Sequence, residues 1–230
     1  MKSTFFPEDT VLARKPADQS VNREAIILAA AEVLQRNGYE AATMKDIAAA
    51  VNLTAASLYH HFKNKDTLLL AVLEVGLDYV ISQIEPIIDS DRPTVDKLHA
   101  MIREHIVGLT THTAVGAAMV SEIRALMQVK APSKTASADD RDAYETFVQR
   151  RAAFFERRDH FEDLFRQVVR EGVEAGVFRA IDVPIFTKTL LGAHNWVGVW
   201  YRPNGRLNGE QIADLIADTM LNGVLTDDAG

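Results

Sequence analysis

Apolar residues recur at helical spacing along most of the chain. Ile26, Ala30, Val33 and Leu34 fall at i, i+4, i+7 and i+8, one stripe of an amphipathic helix. Asn37-Gly38 follows, and Gly38 suits the left-handed position just past a helix end. Met44, Ile47, Ala48 and Val51 form the next stripe. Thr43, with Asp46 three residues on, makes an acidic capping box at its start. A third, short helix begins at Thr54, with Leu53 placed to staple onto Leu58, and with Leu58 and Phe62 facing inward. Asn64 caps a fourth, and Asp66 sits in its positive first turn. Apolar residues then run from Leu68 to about Ile88, and Pro86 is expected to bend or end the helix.

Further helices are expected over 94–112, 115–129, 138–172, 183–201 and 208–224, about nine in all. Gly172 and Gly176 should break the longest ahead of Phe178. Lys130 to Ser137 reads as a mobile linker, and residues 1–19 as a mobile tail. No segment alternates with period two for long, so the fold class is all-α. A three-helix helix-turn-helix unit over 20–66 is expected ahead of a larger helical ligand-binding and dimerisation domain over 67–230.

Composition narrows the chemistry. The chain has no cysteine, which excludes disulfides, thiolate metal sites and cysteine nucleophiles. No uninterrupted apolar run approaches the roughly 20 residues that span a bilayer, and Met1 to Thr10 lacks a basic-then-apolar leader. A cytoplasmic location without membrane partners is therefore expected. The net charge of −7 does not suggest a polyanion binder, but it is unevenly spread. Residues 1–65 hold eight Lys/Arg against seven Asp/Glu, which leaves −8 on the remainder. A near-neutral head on an acidic body permits DNA contact at one end only.

Two short capped helices joined by a tight turn have the makings of a helix-turn-helix, whose second helix enters the major groove. Its leading residues are Thr54, Ala55, Ala56 and Ser57, small enough for close approach to base edges. Thr43 and Lys45 stand at the start of the preceding helix, with Lys45 able to reach a base or a phosphate. Tyr59, His61, Lys63 and Lys65 lie at the far end, suited to gripping phosphates. The plainer alternative is a three-helix packing unit with Tyr59 and Phe62 as core aromatics.

The stretch from Ala42 to Ala48, then Leu53 to Leu68 with its Leu58-Tyr59-x-His61-Phe62-x-x-Lys65 core, resembles the TetR family of bacterial transcriptional regulators. The resemblance covers roughly 45 residues and implies a homodimer, a double-stranded operator with two half-sites, and a C-terminal domain that binds a small effector. It also implies phosphate contacts from Tyr59, His61 and Lys65, and base contacts from Lys45, Ala55, Ala56 and Ser57. Alanine at two of those base-reading positions departs from members with longer polar side chains. A narrower resemblance, in Asn195-Trp196 and Trp200 to Leu207, is to members that respond to acyl-CoA thioesters.

In the remaining chain, Phe186, Leu190, Ala193, Val197 and Trp200 make one helical stripe, and Ile212, Leu215, Ile216, Met220 and Val224 another. Together these suit half of a four-helix dimer interface, or else an internal hairpin. Met101, His105, Met119, Ile123, Leu126, Phe154, Phe161 and Phe165 would line an apolar cavity, or fill an ordinary core. Arg150, Arg151, Arg157, Arg158, Arg166 and Arg170 would meet CoA phosphates, with Arg158 counted among the ligand-binding residues, or pair locally with Glu145, Glu156, Asp159 and Glu162. His99, His105 and His112 step by six and seven residues, unlike an i, i+4 metal pair, so neither metal nor cofactor is expected. No Gly-rich phosphate loop, Gly-x-Ser-x-Gly elbow or His-Glu-x-x-His is present, and the chain is not expected to be an enzyme. The reading from another class is a helical-bundle enzyme, with His105, Glu122 and His194 as acid–base groups, or an adaptor for an acyl or lipophilic ligand.

Overall fold

Short polar side chains set the helix starts. The Thr43 hydroxyl accepts from the Asp46 amide at 3.2 Å while the Asp46 carboxylate accepts from the Thr43 amide at 3.1 Å. Thr54 accepts from the Ser57 amide at 3.1 Å, and Asn64 from the Thr67 amide at 2.9 Å. These caps open α2 (Met44–Ala50), α3 (Ala55–His61) and α4 (Lys65–Ile88), behind α1 (Arg23–Ala41). The computed structural model describes residues 23–133 and 135–226, so the expected tail at 1–19 and residues 20–22 lie outside the described residues. Gly38 takes φ 71°, and the chain adds one further turn beyond it to Ala41. Asn52, at φ 56°, makes the tight turn between α2 and α3, a left-handed position that Asn tolerates.

Six more helices follow: α5 (Thr94–Thr111), α6 (Thr113–Ser121), α7 (Ile123–Gln128), α8 (Ala138–Glu174), α9 (Val183–Trp200) and α10 (Gly209–Asn222). The described residues form ten helices and no sheet, with one isolated bridge between Phe178 and Leu225. The helix expected over 115–129 is two helices, because the ladder lapses at Glu122 (φ −99°, ψ 0°), whose side chain is turned to α1. Pro86 does not stop α4. It lies in the last turn, where it removes one ladder bond and only Ile87 and Ile88 follow. Gly172 does not break α8 either. It makes room for the Phe178 ring, which a Cβ there would meet at 2.0 Å, and Gly176, at φ 74°, ends the helix instead.

One continuous core runs through the chain, with α4 at its centre against α1, α5, α6 and α8. In length and mean hydropathy (1.6) α4 would suit a membrane span, but Leu69, Leu70, Val72, Leu73 and Leu77 are buried in this core. Its outer face carries carboxylates, and α8 meets them: Arg150 pairs with Glu74, Arg157 with Asp78 at 2.7 Å, and His160 with Glu85 at 3.3 Å. The pairs ascend both helices together, so α4 and α8 lie side by side in the same direction. Arg150 and Arg157 therefore find partners across helices rather than along their own. Arg166 does pair locally, with Glu162 and Asp163.

Candidate nucleic-acid interface and interior cavity

The short helices α2 and α3 pack against each other and bury Met44, Ile47, Ala48 and Leu58, which leaves the opposite faces free. Thr43, Lys45, Thr54 and Ala56 are exposed, and Ala55 and Ser57 partly so. Tyr59 is 52% exposed and is not a core aromatic, whereas Phe62 is buried. His61 and Lys63 are exposed at the end of α3. Thr54 to Ser57 stand at the leading end of α3 and Tyr59 and His61 toward its far end, with Thr43 and Lys45 at the start of α2. Small side chains at the leading end let backbone come within reach of base edges.

Lys65 is placed differently from its sequence expectation. Its ammonium donates to the carbonyls of Tyr39 at 2.6 Å and Ala42 at 2.9 Å, leans toward that of Glu40, and lies 4.2 Å from the centre of the Tyr39 ring. An ammonium has three donors, and here they serve the end of α1. Lys65 is thus a clamp between α1 and α4. Lys63 donates to the Asp139 carbonyl and stands 3.6 Å from Asp140, an exposed pair that a phosphate would readily replace.

Behind the head, α4, α5, α6, α8 and α9 enclose a cavity of about 290 Å³. Of the residues expected to line it, His105, Met119, Arg158 and Phe161 do. Met101, Ile123, Leu126, Phe154 and Phe165 are not on its wall, and all of these but Ile123 are buried in the core. Tyr79, Val115, Lys188, Leu191 and Asn195 are among the further wall residues that were not anticipated. One signal was available. Gly76, Gly108, Gly116 and Gly192 sit inside helices, where glycine costs about 1 kcal/mol, and all four line the cavity. At Gly76 a Cβ would meet the Val115 side chain at 2.7 Å, so the α4 backbone packs directly on side chains of α6 there.

The polar lining divides by depth. Arg158 and Lys188 are exposed at the rim, with Lys188 held by Glu162 at 2.9 Å. Inside, His105 meets His194 with Nδ1 to Nδ1 at 3.2 Å, and Phe161 and Phe165 stand edge-on around the rings. Burial pushes His105 down to about 4 and His194 well below its usual value, so both are neutral at pH 7. Unfolded, a histidine titrates near 6.5, so between pH 6.5 and 4 the folded chain binds fewer protons than the unfolded one. Stability present above pH 6.5 is lost as pH falls toward 4, and His105 alone accounts for about 2 kcal/mol of that loss by pH 5. Thermal melts should therefore fall more steeply between pH 7 and 5 for the natural chain than for His105→Leu. Equal slopes would mean that His105 takes up a proton in the fold as readily as it does unfolded.

Glu122 joins neither histidine. Its carboxylate accepts from the Tyr39 amide at 3.2 Å and from the Ser121 hydroxyl at 3.0 Å, so the three expected acid–base groups are not brought together. The Tyr39 hydroxyl in turn bonds Asp66, and burial together with that carboxylate raises its pKa. Among the described residues, no three His, Asp or Glu side chains are grouped to hold a metal ion.

The expected dimer stripe faces inward. Leu190 and Val197 are fully buried within the protomer and Ile212 nearly so, which leaves them nothing to offer a partner. Phe186, Ala193, Ile216 and Met220 are half-buried. Only Trp200 of that set is exposed, alongside Ile185, Trp196, Val199 and Leu215.

Residues 26–72 match the model for bacterial regulatory proteins of the tetR family, and residues 148–224 match that for a tetracyclin repressor-like C-terminal domain. The chain belongs to the TetR family. It is a DNA-binding transcription regulator of helix-turn-helix type, and its family is regulatory rather than enzymatic. TetR relatives align over nearly the whole chain. The transcriptional repressor KstR2 of Mycolicibacterium smegmatis is 26% identical over 91% of this chain and 93% of its own. The TetR-family structure of PfmR from Thermus thermophilus superposes with a TM-score of 0.70, at 27% identity over 86% of this chain and 97% of that one. AibR, solved with isovaleryl coenzyme A and operator DNA, gives a TM-score of 0.67 at 27% identity, over 88% and 97% of the two chains.

Proposed function

We propose that this regulator is a cytoplasmic homodimeric repressor that leaves its operator when an acyl-CoA thioester places its acyl end in the cavity. The observation that carries the reading is the bond from the Tyr39 amide to Glu122. Helix α6 gives Val115, Gly116 and Met119 to the cavity wall and ends at Glu122. Tyr39 holds Asp66, and Lys65 holds the carbonyls of Tyr39 and Ala42. The ends of α6, α1 and α4 therefore meet at one joint, a few residues from α3. A ligand that moves α6 has a bonded route to the recognition helix.

Placement supports the remaining assignments of this reading. Residues 20–66 act as the DNA-binding unit and 67–230 as the effector-binding and dimerisation unit. Thr43, Lys45, Thr54, Ala55, Ala56 and Ser57 face the bases, and Tyr59, His61 and Lys63 the phosphates. The exposed apolar face of Ile185, Trp196, Val199, Trp200 and Leu215 meets its copy across a two-fold axis. At about 290 Å³ the cavity is at the small end of ligand sites, about 300–1,000 Å³. It suits an acyl group, with the CoA nucleotide left outside near Arg158 and Lys188. The name of KstR2 supports repression, and the ligand bound to AibR supports the thioester.

The test is a mobility-shift titration on an operator selected from random duplex, using acyl-CoAs of graded chain length and matching CoA-free lipophiles. Short acyl-CoAs should release the DNA. Release by a lipophile but by no thioester would remove CoA from the reading, and retention throughout would remove the effector.

A further inference from the structure

The two buried histidines set a polarity that the cavity would otherwise lack. Their Nδ1 atoms share one hydrogen bond, so one ring donates and the other accepts. The donor ring then has a bare lone pair on Nε2, and the acceptor ring carries N–H on its own Nε2. His194 Nε2 is fully buried and has no hydrogen-bond partner among the described residues. His105 is on the cavity wall, and with its Nδ1 spent, Nε2 is its one remaining polar atom.

The two tautomeric arrangements differ in what is stranded at His194. If His105 donates to His194, an N–H is left orphaned in the core. If His194 donates to His105, only a lone pair is orphaned. A buried unpaired N–H is the rarer and costlier of the two. The second arrangement is therefore favoured, and it puts N–H on Nε2 of His105, the ring that lines the cavity.

We propose that the His105–His194 pair is a hydrogen-bond donor of fixed sense inside the cavity, selecting effectors that set a neutral carbonyl oxygen, as in a thioester, ester or ketone, against His105 Nε2. A carboxylate there would be a buried charge facing two neutral rings, with the cations Arg158 and Lys188 out at the rim. A saturated chain would leave the N–H unanswered. Phe161 and Phe165 pack edge-on around the pair and hold the rings in place.

This inference rests on the cavity being the effector site, and its test has one arm that does not. With the full-length protein labelled at imidazole nitrogen, two-bond nitrogen–proton correlations at pH 7 report each ring's tautomer without any ligand. The expected result is N–H on Nε2 in His105 and on Nδ1 in His194; the reverse assignment, or a charged ring, overturns the proposal. The second arm is calorimetric. An acyl-CoA thioester should bind about tenfold more tightly than the S-alkyl-CoA in which methylene replaces its carbonyl. The same ranking should hold for 2-heptanone over 2-methyl-1-heptene, and His105→Leu should bring both ratios to about one. Equal binding within each pair overturns the proposal, even where the effector reading stands. A preference seen only in the CoA-free pair upholds the donor and removes CoA. Binding by neither series overturns both.

Discussion

Arginine at position 196 should leave a folded protomer that no longer pairs, whereas arginine at position 190 should cost the fold itself. Both residues lie on α9, about 1.7 turns apart, and both belong to apolar faces of that helix. Leu190 has no exposed surface in the protomer, so an arginine there is an unpaired charge in the core. That costs at least about 3–5 kcal/mol, against a total stability of about 5–15 kcal/mol. Trp196 is 62% exposed, and its replacement should change protomer stability by no more than about 0.5 kcal/mol. Across a two-fold axis each substitution counts twice. Losing a buried tryptophan anchor on both copies, at roughly 2 kcal/mol each, would weaken the dimer by about 10³-fold. Sedimentation gives the assembly state, and circular dichroism the fold. A dimeric Trp196→Arg variant would move the interface away from this face. Operator affinity should fall with the dimer, because one recognition helix cannot span two half-sites.

A second large effect is expected at Glu122. Glu122→Ala removes the acceptor of the Tyr39 amide and with it the link between the cavity helix and the head. Effector binding should persist while release of DNA is lost. Allosteric couplings are usually about 1–3 kcal/mol, or about 5–150-fold, and that factor should fall to about twofold. Glu122→Gln keeps an acceptor oxygen and should retain most of the coupling. The measurement is operator affinity with and without saturating effector for the three proteins. Undiminished release in Glu122→Ala would place the coupling in other contacts, such as Lys63 with the start of α8.

What the sequence revealed and what it withheld divide along physical lines. Helix starts were legible because Thr43, Thr54 and Asn64 act locally, through bonds to amides three residues away. The all-α class was legible for the same reason, since periodicity is local. Which side of α9 is left exposed was not. Both sides of α9 are apolar, and spacing alone cannot tell the side that meets α5 and α8 from the side that meets nothing among the described residues. The cavity was half legible. His105, Met119, Arg158 and Phe161 lie on its wall, but Met101, Leu126, Phe154 and Phe165 have the same apolar character and simply fill space. A cavity is made by missing volume, and its trace was in the glycines rather than in the large residues. The bonds of Lys65 to α1 were not legible, because only the fold reveals that the carbonyl end of α1 lies beside it.

The riveting of α8 to α4 also bears on distance. A helix of 24 residues is about 36 Å long, and Gly76, where α4 meets the cavity, lies near its middle. Pairs at Glu74, Asp78 and Glu85 hold the half of α4 from the cavity to its far end against α8, and the half that runs to the head is buried in the core at Leu68 to Leu73, so the helix acts as a stiff rod. A tilt of about 5° about the Ile88 end would carry its Asn64 end by about 3 Å. That is close to the rise of one base pair, about 3.4 Å, and in a symmetric dimer the two ends move in opposite senses. A displacement at the cavity no larger than the thickness of a methyl group would thus put the two recognition helices out of step with the DNA by more than a whole base pair.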